Sequence, residues 1–256
     1  MNILAMSDLH GRIPKLPKSL LASRIDLLVL AGDIMPNDVA NWDMSRWNDR
    51  RCDVAKEGAA QRLWWDTKFM PWVKNFKEVK KIVFVKGNHD FLDAEAIPDI
   101  IALNTGSKVI EIDDLKIGLL AGSMPLKGEW SDEVDEYEMT QRILNIDRDI
   151  DILISHVPPL GVMDRAYGGD LIGCKALREA IFGIGSAFEE QLIISPRFEK
   201  LRYAIYGHCH ETRGNESQKI DGHDVTFLNV AETYCTIETS GNDLQHHSGR
   251  VSFHSK

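Results

Sequence analysis

Five short apolar runs in this 256-residue chain each end in residue types that ligate metal ions or move protons. Asp8 and His10 follow the first, Asp33 the second, and Asn88, His89 and Asp90 the third. His156 follows the fourth, and His208 with His210 the fifth. Taken singly, an Asp or His after a strand is more often a helix cap or a satisfied loop group. In an open parallel sheet, though, the carboxyl ends of the strands share one edge, so residues far apart in sequence meet in one crevice. Five of the nine histidines occupy these run ends, whereas His223, His246, His247 and His254 lie toward the polar tail. Gly11, Gly32, Gly87 and Gly207 flank the same positions, where a missing side chain lets the backbone turn beside a bound group.

The donor types narrow the chemistry. Imidazole, carboxylate and a single amide suit manganese above all, with iron, zinc or nickel as alternatives, whereas an all-oxygen magnesium or calcium site needs no histidines. Seven candidate ligands, Asp8, His10, Asp33, Asn88, His156, His208 and His210, are too many for one tetrahedral ion. They suit two ions sharing one carboxylate, with positions left for water and substrate. Ions about 3.5 to 4 Å apart clamp the attacking and leaving sides of a phosphoryl displacement, so hydrolysis of a phosphate ester is the expected use.

The elements that must position these residues follow from periodicity. Asn2 to Met6, Ile25 to Ala31, Ile82 to Val85, Ile152 to Ile154 and Tyr203 to Tyr206 are nearly unbroken apolar runs, as expected of strands buried on both faces. Helical spacing between them, as in Ile13 to Ser23 and Val134 to Ile150, predicts parallel sheets covered by helices. Lys108 to Ile112, Lys116 to Ala121, Val225 to Val230, Tyr234 to Glu238 and Arg250 to Phe253 read as further strands. The turn pairs Asp113-Asp114 and Asp221-Gly222 make antiparallel additions of some of them. The expected fold is a four-layer α/β/β/α sandwich, two mixed sheets face to face with helices outside. Residues 1–256 are expected to form one domain, with a tryptophan-rich helical insert at about 37–76. Trp65, Phe69, Trp72 and Phe76 recur there at helical spacing, which favours packing on the sheet over an aromatic lid or subunit contact, and Pro71 should kink or divide the helix.

Composition excludes several classes. With 43% hydrophobic and 27% charged residues the chain can build a core and is not disordered. Thirty Lys and Arg against 39 Asp and Glu give a net charge of −9, so long nucleic acid and anionic lipid are disfavoured as partners. No apolar run reaches membrane-spanning length and no signal peptide precedes the first strand, so a cytoplasmic location is expected. Cys52, Cys174, Cys209 and Cys235 form no CxxC pair and read as free thiols. A homodimer is left open.

Read in order, Asp8-Leu9-His10, Gly32-Asp33, Gly87-Asn88-His89-Asp90, Ser155-His156 and Gly207-His208-Cys209-His210 resemble the motifs of the calcineurin-like metallophosphoesterases. The text Ser155-His156-Val157-Pro158-Pro159-Leu160-Gly161, Gly173-Cys174 and Gly207 to Glu211 is more narrowly similar to small metallophosphoesterase-domain proteins and class III cyclic-nucleotide phosphodiesterases. The resemblance implies that Asp8, His10, Asp33 and His210 hold one ion and that Asp33, Asn88, His156 and His208 hold the other, with Asp33 as the bridge. It implies His89 as an uncoordinated catalytic group near the leaving group, with Asp90 hydrogen-bonded to it. The Ser/Thr phosphatase branch is disfavoured, because Gly32-Asp33-Ile34-Met35-Pro36 lacks its Asp-Arg-Gly continuation.

The expected activity is phosphodiester hydrolysis of a small nucleotide or related ester by in-line attack of a metal-bridging hydroxide. A phosphomonoesterase and a nucleoside-polyphosphate hydrolase are the enzymatic alternatives, and a metal-free protein-binding scaffold the non-enzymatic one. Arg12 is a candidate phosphate contact, although a solvated loop arginine is its plainer reading. Cys209 is expected to pack, and Gly168-Gly169-Asp170 to form a flexible turn.

Overall fold

The computed structural model describes residues 1–37, 53–126, 130–183, 197–240, 243–250 and 252–253. In chain order the elements are β1 (Asn2–Met6), β2 (Pro14–Lys15), α1 (Lys18–Leu21), β3 (Arg24–Ala31) and α2 (Val54–Trp64). A π-helical turn (Trp65–Phe69), α3 (Met70–Val73), β4 (Glu78–Val85), β5 (Ile101–Leu103), β6 (Ser107–Ile112), β7 (Leu115–Leu120) and α4 (Glu136–Leu144) follow. The remainder comprises β8 (Ile152–Ser155), α5 (Lys175–Phe182), β9 (Tyr203–Tyr206), β10 (Gly214–Ile220), β11 (His223–Asn229), β12 (Thr233–Ser240), β13 (Asp243–Arg250) and β14 (Ser252–Phe253).

Two six-stranded mixed sheets result, ordered β13-β12-β1-β3-β4-β5 and β10-β11-β9-β8-β7-β6. Strands β1, β3, β4 and β5 run parallel, as do β7, β8, β9 and β11. Antiparallel strands flank both sets, and the Asp113-Asp114 and Asp221-Gly222 turns join β6 to β7 and β10 to β11 as expected.

The apolar runs are unbroken because each strand is covered on both faces. Ile3, Ala5, Leu27, Val29, Val83 and Val85 meet Ile117, Leu119, Ile152, Ile154 and Ile205 between the sheets. Their alternates Leu4, Met6, Leu28, Leu30 and Phe84 pack under Trp65, Phe69 and Trp72. On the far side Leu153, Ala204 and Tyr206 pack against Met139 and Ile143 of α4 and Leu177 and Ile181 of α5. The layers are therefore α/β/β/α. Among the described residues no helix is long and apolar enough to cross a membrane.

Several expectations are corrected. Ile13 to Ser23 is not one helix: Pro14 pairs as β2 with β14, and only Lys18–Leu21 is helical, after Pro17. The helix expected over Val134 to Ile150 stops at Leu144, yet Ile146 and Ile150 stay buried, so the apolar spacing recorded burial through a turn. Strands β5, β10 and β13 escaped the reading. Strand β10 alternates half-buried with exposed residues until Ile220, and β13 is a polar edge strand. At the tryptophan-rich segment the chain meets Pro71 by widening into a π turn, with the Met70 N–H donating to the Trp65 carbonyl. Trp65, Phe69, Trp72 and Phe76 are all buried, Trp65 stacking on Phe84 with centroids 5.8 Å apart. Trp42, Trp47 and Cys52 lie outside the described residues.

Candidate metal centre

The loops after β1, β3 and β4 in one sheet and after β8 and β9 in the other open on the same rim. Their backbones are unusual. Asp8, His10, Asp33 and His208 have φ of 56°, 46°, 54° and 68°, a left-handed conformation costly for residues with a Cβ and concentrated at functional sites. Close hydrogen bonding holds them: the N–H of Asp8 donates to the Gly32 carbonyl (3.0 Å) and that of His10 to the Asp33 carbonyl (3.0 Å). Gly207 is required by close approach, since a Cβ there would collide with Ser7 and Asp8, and Gly87 likewise faces Asp33 and His156.

Every candidate ligand reaches this rim. Asp8 Oδ1 lies 3.0 Å from His210 Nε2 and 3.9 Å from His10 Nε2, and the two imidazole Nε2 atoms stand 3.4 Å apart. The N–H of His208 donates to Asp8 Oδ2 at 3.0 Å, and the Ser7 hydroxyl also donates to that oxygen. On the second sheet's side, His156 Nε2 lies 3.1 Å from Asn88 Oδ1, 3.3 Å from Asp33 Oδ2 and 3.1 Å from His208 Nδ1. Asp33 Oδ2 is also 4.0 Å from His10 Nε2 and from His89 Nε2. Three groups have ligand atoms mutually within 4.8 Å: Asp8, His10 and His210; His10, Asp33 and His89; and Asp33, His156 and His208.

The donor set fits a cation on elementary grounds. His156 Nδ1 stands 2.9 Å from the Ala31 carbonyl oxygen, which can only accept, so Nδ1 carries the proton and neutral Nε2 has only a lone pair. That lone pair faces the Asn88 and Asp33 oxygens, a convergence of acceptors that a shared proton or a metal ion satisfies. Without a metal the proton answers. Burial disfavours charge on His156, but the Asp33 charge and hydrogen bond, then the Asp8 charge, outweigh it and raise the imidazole to about 10. Burial likewise opposes ionisation of Asp8, yet the His210 hydrogen bond and neighbouring imidazolium charge lower it to about 2. Burial, then the charge on His156, pushes His208 down to about 3. Burial takes His89 down to about 4 against the pull of Asp33.

One assignment around His89 changes. Asp90 is not its hydrogen-bond partner. The buried carboxylate instead accepts N–H bonds from Asp33 (2.7 Å), Gly87 (3.0 Å), Met35 (3.0 Å) and Ile34 (3.1 Å), tying the β3 loop to the β4 loop. Burial and the Asp33 charge raise Asp90 to about 7 against these donors. The His89 ring nitrogen Nδ1 is met by Asn37 Oδ1 at 2.9 Å, and Trp130 lies over the ring with centroids 3.8 Å apart. Arg12 donates to the Leu9 and Asp8 carbonyls and pairs with Glu232 at 2.5 Å.

Sequence reasoning missed Asn37, Trp130 and Glu232. The last also pairs with Arg213 (2.6 Å) and lies 3.8 Å from His210 Nδ1. Asn37 sits only four positions past Asp33, but an Asn beside a proline reads as a turn residue. Cys174, Cys209 and Cys235 are buried free thiols, and Cys209 packs as expected.

Residues 1–212 match the family model for calcineurin-like phosphoesterases. The UPF0046 protein T07D4.2 of Caenorhabditis elegans is 24% identical over 220 residues, covering 80% of this chain and 50% of the relative. A second protein of that organism, UPF0046 protein K07C11.7, is 29% identical over 100 residues, 39% of this chain and 26% of the relative. The chain thus spans about half or less of the curated relatives it matches. A solved archaeal phosphodiesterase aligns with 97% of this chain and 99% of its own at 14% identity and a TM-score of 0.40. With the matched stretch reaching from β1 past His208 and His210, the chain belongs to the calcineurin-like phosphoesterase family.

Proposed function

We propose that the chain is a two-metal phosphodiesterase acting on a small phosphate ester, a nucleotide or a related diester. The observation that carries this reading is the position of Asp33 Oδ2 between two sets of donors, 3.3 Å from His156 Nε2 and 4.0 Å from His10 Nε2. Asp8, His10, His210 and Asp33 would hold one divalent cation, and Asp33, Asn88, His156 and His208 the second. The donor set suits manganese first, then iron, zinc or nickel. When bound, such ions supply Lewis acidity to the phosphoryl oxygens and lower the pKa of water to about 7, furnishing a nucleophile at neutral pH.

The chain's own residues orient and assist. The Ala31 carbonyl holds the His156 ring with its Nε2 lone pair turned into the centre. The Ser7 hydroxyl and the His208 N–H fix the Asp8 carboxylate. His89 has its Nε2 on the same cluster, where it would assist the departing ester oxygen, a role worth about 10² to 10⁴ in rate.

The test is reconstitution of chelated protein with manganese, nickel, zinc or magnesium. Elemental analysis accompanies assays on bis-p-nitrophenyl phosphate, p-nitrophenyl phosphate and 2′,3′- and 3′,5′-cyclic nucleotides. About two ions per chain and preferential diester turnover are expected. A monoester preference would replace this reading with a phosphomonoesterase. Inert, metal-free protein under every ion would leave the binding scaffold.

A further inference from the structure

We propose that Asn37 is the positioning residue of His89, fixing its imidazole as the Nδ1–H tautomer with Nε2 directed at the metal centre. The proposal rests on the role given above to His89 but not on its protonation state. Asn37 contacts His89 twice, with Nδ2 2.8 Å from the backbone carbonyl and Oδ1 2.9 Å from Nδ1. A carbonyl oxygen only accepts, so the amide nitrogen must face it and the amide oxygen must face the ring. That oxygen also only accepts. The ring nitrogen opposite it therefore bears a hydrogen in either charge state, so Nε2, in the cluster shared with His10 and Asp33, is the nitrogen that takes up the proton passed to the leaving oxygen, and its loss returns the ring to the Nδ1–H form.

The surroundings leave little freedom to reverse this arrangement. Gln61, buried on α2, donates to the same His89 carbonyl (2.9 Å) and to that of Pro36 (3.0 Å). Its own Oε1 accepts from Phe91 (2.6 Å) and Leu92 (3.0 Å). The backbone on both sides of the Asn37 contact is thereby anchored to a helix. Trp130 covers the His89 ring, and the His10 ring lies nearly perpendicular with centroids 4.9 Å apart. The loop carrying Trp130 is tied to the ligand loop by the Ser131 N–H donating to the Asn88 carbonyl at 2.9 Å. Asn37 thus sets the ring's rotation in its own plane, while Trp130 and His10 limit its tilt. Asp90 is committed to four backbone N–H groups and supplies no alternative anchor.

The experiment compares wild type, Asn37→Leu, His89→Ala and the double variant on aryl phosphodiesters whose leaving phenols range from p-nitrophenol to phenol. The manganese-loaded protein is used, with metal content measured in each case. A residue that acts through His89 should hurt poor leaving groups most. Asn37→Leu is expected to lose about 10-fold more on the phenyl ester than on the p-nitrophenyl ester, His89→Ala at least as much, and the double variant no more than His89→Ala. Nitrogen-15 spectra of histidine-labelled, metal-free protein give a second readout: Nδ1–H in wild type and in Asn37→Asp, and a mixed tautomer in Asn37→Leu.

An Asn37→Leu loss equal across all esters, alongside a graded loss in His89→Ala, would overturn the proposal, as would an unchanged tautomer in Asn37→Leu. A flat profile in His89→Ala would instead remove His89 from leaving-group assistance. The nitrogen spectra would then still decide whether Asn37 sets the ring.

Discussion

Asp33 of the first sheet and His156 of the second face each other with Oδ2 and Nε2 3.3 Å apart, which brings the loops of both sheets to one buried point. Removing the carboxylate should uncouple the two halves. Asp33→Ala is expected to lose bound metal by elemental analysis and to lower turnover by at least about 10²-fold. Full metal content with unchanged turnover would refute the bridging role.

The metal-free protein should be sensitive to both extremes of pH. His156 is raised from 6.5 to about 10, burial being outweighed by Asp33 and Asp8. Its contribution is complete below pH 6.5 and is lost as pH rises through about 10. Asp8 is lowered from 3.8 to about 2 by His210 and its neighbours against burial, so its contribution is present above pH 3.8 and is lost as pH falls through about 2. Calorimetry in chelator should show Tm falling between pH 7 and 10 in wild type and falling less in His156→Gln. Parallel curves over that range would rule out His156 as the source.

A methyl group at position 207 would occupy the space of the Ser7 and Asp8 side chains. Gly207→Ala is therefore expected to weaken metal binding more than a surface Gly→Ala change, because the loop must shift both His208 and Asp8. Gly106 has nothing within 4 Å of an added Cβ but a φ of 80°, so Gly106→Ala serves as a control for backbone strain alone. Comparable metal affinity in the two variants would contradict this account.

Asp90 and His89 are neighbours in sequence with separable roles. Asp90→Ala leaves four buried N–H donors without their acceptor and should lower stability by about 2 to 4 kcal/mol. His89→Ala should leave Tm within about 2 °C of wild type and reduce turnover. Equal Tm losses in the two variants would return Asp90 to the role of a partner of His89.

Much of this protein is legible in its sequence. Unbroken apolar strands such as Leu27 to Ala31 announce burial on both faces, and the polar residues at their ends announce which edge carries the chemistry. Position along the chain and side-chain type sufficed because topology sends all those ends to one rim. What the sequence leaves undetermined depends on distance through space. The partner of His89 is Asn37 and that of His156 is the Ala31 carbonyl, and neither choice follows from spacing, since a hydrogen bond is settled by where the loops pack. The left-handed φ at Asp8, His10, Asp33 and His208 is likewise invisible locally, because the neighbouring strands impose it. Sequence alone determined the layers and the inventory of candidate ligands. Only the tertiary structure decided which atoms face one another, because donors and acceptors act over a few ångströms and residues at opposite ends of the chain come that close only when both sheets are packed.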